Sequence, residues 1–258
     1  MNSTLELLEK RRSIRLYDPT PLTQAEKDAI LHAAMRAPTA GAMMLYTIIE
    51  VNDPLKRAAL AESCDHQAFI AAAPYLLLFL ADYQRWSDLY EAAGCAARAA
   101  ELGLPPRNPA EGDLMLAFMD ALIAAQTAVI AAESLGIGSC YIGDIIENWE
   151  THQALFDLPR YTFPAVLICF GRASRTPPGG PSPRFERRFI VHQDGYRRFS
   201  TAELNEMHLP YGAESLALKE YPSGAQNIVQ ANYIRKFISD FSQEMTRSVR
   251  VMLKNWQG

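Results

Sequence analysis

Hydrophobic positions fall along this chain in blocks, and the blocks differ in kind. PYLLLFLAD (74–82) and FPAVLICFG (163–171) are continuous apolar runs of strand length, as expected for strands buried on both faces. LYTIIEVN (45–52) predicts another strand, RFIVHQ (188–193) a short one, and GSCYIGDI (138–145) a brief extended or turn segment. LMLAFMDALIAAQTAVIAAES (114–134) predicts a helix that is apolar nearly all round, stopped by Leu135-Gly136. It has the length of a membrane span, but Asp120, Gln126 and Glu133 interrupt it. A carboxylate near mid-span costs about 3 kcal/mol, so the centre of a fold or a subunit interface suits this helix better than lipid.

Polar punctuation supplies the other boundaries. Ser3-Thr4-Leu5-Glu6 and Thr23-Gln24-Ala25-Glu26 each have the pattern of a capping box. They predict a short helix ending near Arg11 and a second one running to about Arg36, stopped by Pro38. PLKRAALAE (54–62) predicts a helix with proline in its first turn, and ENWETHQALFD (147–157) another. Residues 85–102 are of mixed helical character, and SRTPPGGPSPR (174–184) must be irregular. In the tail, apolar residues at 234, 237, 238, 241, 245, 249, 252, 253 and 256 form one helical stripe, which needs a surface to lie on. Helices and strands mix without regular alternation, so an α+β fold is expected rather than a doubly wound sheet.

The 258 residues carry 25 Lys and Arg against 29 Asp and Glu, a net charge of −4 that argues against a general nucleic-acid binder. Cys64, Cys95, Cys140 and Cys169 form no CxxC pair, and the five histidines never stand three to five residues apart, so no metal site is expected. The polar N-terminus lacks the apolar core of a signal peptide, and with free thiols this points to the cytoplasm. There is no GxSxG, no GxxxxGK[ST], and GIGSCYIG lacks GxGxxG spacing. What stands out is a cationic turn, LLEKRRSIRLYDPTPLT (7–23), with Lys10, Arg11, Arg12 and Arg15 around Ser13. The first three complement a helix C-terminus, whereas Arg15 lies beyond the reach of that dipole. A bound phosphate would explain it.

RRSIRLYDPTPLTQAEKDAILHAAMRAPTAG resembles the N-terminal signature of the FMN-dependent nitroreductase family. CDHQAFIAAAPYLLLFLADYQR, AAESLGIGSCYIGDI and FPAVLICFGRAS resemble its later blocks, in order, and the likeness covers roughly residues 5–194. It leans toward the NADPH-preferring nitro and flavin reductases with a long C-terminal segment. It implies a nitroreductase-like sandwich with a central mixed or antiparallel sheet flanked by helices, in an intertwined homodimer. Residues 1–200 would be the FMN-binding domain and 201–258 an extension whose long helix packs across the dimer. NAD(P)H would be the co-substrate and a small-molecule oxidant (nitroaromatic, quinone or flavin) its partner, by ping-pong hydride transfer at flavin N5, with no catalytic side chain. A flavin-binding carrier or sensor without turnover is the alternative on the same fold.

The resemblance also assigns residues. Arg11, Arg12 and Ser13 would hold the FMN phosphate, with Arg184 joining later in the chain, and Arg15 would stand near flavin N1 and O2. Pro38, Thr39, Ala40 and Gly41 form the loop whose backbone approaches the ring. Gln67 faces the pyrimidine edge, and Tyr141, Ile142 and Gly143 cover the other face. Two departures stand out: Ser182 where relatives often have lysine, and Asp144 where they have glycine. Arg107, Arg172 and Arg175 are candidates for the NADPH 2′-phosphate, against which stands plain solvation of loop charges. Trp86, Tyr90 and Leu102 are candidates for a roof over the substrate.

Overall fold

A computed structural model describes residues 2–175, 180–215 and 224–257. At its centre is a four-stranded sheet of β1 (Tyr46–Glu50), β2 (Tyr75–Asp82), β3 (Gly138–Ile142) and β4 (Thr162–Gly171), every pair antiparallel, in the order β1-β2-β4-β3. The continuous apolar runs are the two central strands, and every residue of each is buried. Pro164 stands inside β4, where a proline removes a ladder donor. The register slips there, between Phe79 and Leu80 of β2, so the missing N–H falls at a bulge.

Helices accompany the sheet in the same compact unit, residues 1–179 with 244–258. In chain order they begin with α1 (Ser3–Lys10), α2 (Gln24–Met35), α3 (Pro54–Ser63), α4 (Phe69–Ala72), α5 (Gln84–Ala92), α6 (Cys95–Glu101), α7 (Glu111–Ser134) and α8 (Trp149–Phe156). α2 has the expected capping box: the Glu26 carboxylate accepts from Thr23 N–H at 2.8 Å, and Thr23 Oγ1 accepts from Glu26 N–H. α1 does not begin at the expected box. Its cap is Asn2, whose Oδ1 accepts from Leu5 N–H at 3.0 Å, one residue earlier than the Ser-x-x-Glu pattern suggests.

α7 buries an alanine-rich stripe (Ala117, Ala121, Ala124, Ala125, Ala128, Ala132) against the sheet and α2, where small side chains permit close approach. It is the one described helix long and apolar enough to cross a membrane. Its opposite side keeps Met115, Leu116, Met119 and Ile123 between 41% and 60% exposed.

Residues 180–243 form a second compact unit. RFIVHQ is not a strand there: residues Arg187–Ile190 make a single helical turn, α9, with Phe189 edge-on to Phe199 at 5.4 Å. α10 (Thr201–Ser215) goes beyond the sequence expectation, since its apolar residues lack a helical stripe. The proline-rich segment shows no helix or strand at 174–175 and 180–184, and 176–179 lie outside the described residues.

The C-terminal stripe is not one helix. α11 (Ile228–Asn232) runs into a π-helical turn at Tyr233–Phe237, and α12 (Asp240–Gln257) starts afresh, with Ser239 O accepting from Ser242 and Gln243 N–H. The Ser239-Asp240 pair is a helix-start signal that the stripe masks in the sequence. From Ser248 on, α12 packs on the chain's own core, burying Met252 and Trp256, the latter edge-on to Tyr161 at 5.4 Å.

Candidate functional site

The cationic turn is placed by two glycines. After α1 the chain runs extended along β3: Ile14 N–H donates to Ser139 O at 2.9 Å, Ser13 pairs with Ser139, and Tyr17 pairs with Ala173. That approach is possible because Gly138 and Gly171, partners across β3 and β4, lack side chains. A Cβ at Gly138 would stand 2.4 Å from Ile14 Cγ1, and one at Gly171 2.7 Å from Tyr17 Cδ1. Close approach, rather than turn geometry, therefore explains both glycines.

The turn brings buried polar atoms together. Arg11 Nη1 and Ser139 Oγ are buried without a hydrogen-bond partner. Glu133, on the last turn of α7, also has an orphan buried oxygen; burial raises its pKa, while Arg11 and the neighbouring Ser139 hydroxyl pull it the other way. An unmade hydrogen bond at a buried charge is costly, and an anion with several acceptor oxygens is the group that would satisfy both donors. Arg12, half-buried, stands next in the turn. Arg15 lies exposed with its guanidinium 5.9 Å from the centre of the Phe69 ring.

Phe69 opens α4, and just before it stands Gln67. Asp65 and His66 both take left-handed backbone conformations (φ 60° and 53°) and turn the chain sharply out of α3. Gln67 N–H donates to Ala61 O at 2.8 Å, and its side-chain Nε2 donates to Cys64 O at 2.8 Å and to Asp144 Oδ2 at 2.7 Å. Asp144 lies in the 3₁₀ turn Gly143–Ile146 that follows β3. Residues 11–15, 67–69 and 139–144 are thus neighbours, as the expected site requires. Of the covering segment, Ile142 is buried, Gly143 is exposed with open space around it, and Tyr141 turns to α7, its hydroxyl donating to Gln126 Oε1 at 2.9 Å. Burial pushes the Tyr141 phenol up to about 12, so it serves as a neutral donor.

The Pro38–Gly41 loop is organised by a residue that the sequence shows only as an interruption of an apolar helix. Asp120, 3% exposed on α7, accepts from the Thr39 hydroxyl, from Ala40 N–H at 3.0 Å and from Leu45 N–H at 3.1 Å. Thr39 Oγ1 in turn accepts from Met44 N–H at 2.8 Å. The carboxylate so held permits a loop in which Gly41, Ala42 and Met44 all have positive φ. A lone carboxylate in an otherwise apolar helix is the signal for it.

Of the remaining cations, all but Arg175 have local partners. Arg107 makes a two-pronged bond to Asp113, Arg172 pairs with Glu26, and Arg175 is exposed. Arg184 belongs to the 180–243 unit, where it donates to Ser182 O and Pro183 O. The Trp86 and Tyr90 rings of α5 lie 5.6 Å apart, Trp86 Nε1 donates to Met43 O at 2.8 Å, and Leu102 is exposed after α6. Among the described residues no three His, Cys, Asp or Glu side chains gather as metal ligands.

The antiparallel sheet thus carries a cationic turn at its β3 edge, with a glutamine nearby. The chain belongs to the nitroreductase family, whose description, Nitroreductase family, matches residues 8–172. It is 32% identical over 197 residues to the oxygen-insensitive NADPH nitroreductase of Salmonella typhimurium, covering 76% of both chains. It is 31% identical over 196 residues to the FMN reductase (NADPH) of Bacillus subtilis, covering 76% of this chain and 75% of the relative. The solved structure of B. megaterium NfrA2 matches with a TM-score of 0.82 and 26% identity, over 99% of this chain and 98% of that one.

Proposed function

We propose that the chain binds the FMN phosphate at the 11–15 turn and uses the bound flavin to pass reducing equivalents from NAD(P)H to a nitroaromatic, quinone or free flavin. The observation that carries this is the pair of buried donors without partners, Arg11 Nη1 and Ser139 Oγ, beside the Ser13 strand. They fit a phosphate dianion, and Arg12 adds charge beside them. When bound, FMN supplies the hydride-accepting and hydride-donating centre; the protein's own residues bind and orient it. Arg15 places positive charge where reduction adds negative charge. The backbone of Thr39 to Gly41, braced by Asp120, offers a close approach without side-chain bulk.

The proposed unit is a homodimer. Support comes from the row Met115, Leu116, Met119 and Ile123, exposed on the longest helix described and suited to an identical surface. In this reading the free face of α12 extends over the partner. The unpaired thiols Cys64, Cys140 and Cys169 suit a reducing cytoplasm.

Purified protein should take up added FMN with a yellow absorbance and oxidise NADPH when given menadione or a nitroaromatic. A protein that gains no flavin spectrum sinks the proposal. One that binds FMN and consumes no NAD(P)H with any oxidant would be a carrier, the alternative that the reductase relatives disfavour.

A further inference from the structure

Gln67 and Asp144 meet from two separate segments of the chain. A primary amide offers two donors on nitrogen and one acceptor on oxygen. Both Nε2 hydrogens are already committed, to Cys64 O at 2.8 Å and to Asp144 Oδ2 at 2.7 Å. Neither partner can accept a reversed amide, because a backbone carbonyl and a carboxylate are both acceptors. The orientation of this amide is therefore set by chemistry. Its free end is the carbonyl oxygen Oε1.

The clamp is rigid. The left-handed pair Asp65 and His66 and the Gln67 N–H bond to Ala61 O fix the backbone on one side. On the other, Glu147 N–H donates to Asp144 O at 3.0 Å and closes the 3₁₀ turn. The Glu147 side chain is 4% exposed, and its pKa is raised by burial and then by the charges of Asp144, Asp65 and Glu244 around it.

We infer that Asp144 is a positioning residue: it holds the Gln67 amide with Oε1 turned to the flavin, so that Gln67 accepts from the ring N3–H and cannot donate to the flanking carbonyls. This rests on the reading that Gln67 faces the pyrimidine edge of FMN. Its consequence is electronic. An acceptor at N3–H does not stabilise the charge that reduction places on the N1–C2 carbonyl region, whereas an amide donor there would. Asp144 thereby holds the flavin at a lower potential than a freely turning glutamine would allow.

The test reads the flavin itself. Protein reconstituted with ¹⁵N-labelled FMN is compared for the N3–H resonance and its solvent exchange in wild type, Asp144→Asn, Asp144→Gly, Gln67→Ala and the Asp144→Asn/Gln67→Ala double variant. The amide that Asp144→Asn introduces can donate to Gln67 Oε1, so Gln67 is free to turn; N3–H exchange should quicken about tenfold as one hydrogen bond is lost. The midpoint potential should rise, and that rise should be largely absent when Asp144→Asn is made on Gln67→Ala. A rise of equal size in both backgrounds overturns the inference, since Asp144 would then act by its charge alone. If Gln67→Ala leaves N3–H as in wild type, the placement of Gln67 at the flavin fails. If Gln67→Ala alters N3–H and neither Asp144 variant does, the placement stands and the positioning role fails. Loss of FMN binding in both Asp144 variants would also overturn it, because orienting an amide is not needed to hold the phosphate.

Discussion

Asp120, in the middle of α7, accepts the backbone N–H of Ala40 at 3.0 Å, across 80 residues of sequence. The same carboxylate takes Leu45 N–H and the Thr39 hydroxyl, so one buried charge supports a loop with three left-handed residues. Asp120→Asn replaces one acceptor oxygen by a donor that faces N–H or O–H groups. It should destabilise the protein by about 1–3 kcal/mol, measured by urea unfolding of the FMN-free chain. Asp120→Ala should cost more, since three donors lose their partner. An unchanged midpoint in both would show that the loop does not depend on Asp120.

Arg11→Ala with Ser13→Ala removes the charge-assisted bonds assigned to the phosphate. FMN affinity should fall by a few kcal/mol, at about 1.5–3 kcal/mol for each such bond, read from the fluorescence of released flavin. Riboflavin, which has no phosphate, should lose far less between wild type and variant. Equal losses for both ligands would place the phosphate elsewhere.

Gly138→Ala tests the route by which the turn reaches β3. The new methyl would meet Ile14 Cγ1 at 2.4 Å, so the 13–15 strand must move away. Overpacking of this kind costs about 1–3 kcal/mol. FMN binding should weaken together with stability. Pairing Gly138→Ala with Ile14→Ala, which removes the Cγ1 that the new methyl meets, should recover part of the FMN binding.

Glu147 gives the protein a pH signature. Burial, with Asp144, Asp65 and Glu244 facing it, lifts its pKa from 4.5 to about 7. The folded chain then binds a proton that the unfolded chain releases, so this contribution is present below about pH 4.5 and is lost as pH rises through about 7. His152, neutral because burial lowers its pKa, adds no compensating charge nearby, and Arg247 is engaged by Glu244 and Glu150. Glu147→Gln should match wild type near pH 5 and exceed it at pH 8 by on the order of 2–3 kcal/mol, measured by urea unfolding at both values. A constant difference across that range would remove Glu147 as its source.

Trp256 is 1% exposed on the last turn of α12. Trp256→Ala should cost about 3–5 kcal/mol, and removal of residues after 226 should leave a chain that unfolds at lower urea or fails to accumulate. Full stability of the truncated chain would mean that α12 is an appendage.

Much of this is legible in the chain. The runs 74–82 and 163–171 could only be central strands, because no charged residue interrupts their apolar stretch, and Thr23 to Glu26 carries its own cap. In the cationic turn, Lys10, Arg11 and Arg12 are explained equally well by the end of α1 or by an anion, and only Arg15, with no helix end to serve, favours the anion. Other features are hidden because their partners lie far along the chain. The N-terminus of α8 has no cap of its own; Ser248 Oγ accepts from Trp149 N–H at 3.1 Å and the Glu244 carboxylate from Asn148 N–H, nearly a hundred residues later. Gly138 and Gly171 read as strand ends in the sequence, and only the 14–17 segment lying on them gives the reason for their missing side chains.

Local periodicity, capping and composition are properties of neighbouring residues, and so the sequence by itself determined the central strands, the capped helix α2, the α+β class and the charge at residues 11–15. Hydrogen-bond polarity is settled only between groups that meet in space. Which way Gln67 turns its amide, what Asp120 holds and where the C-terminal stripe breaks were decided by the tertiary structure.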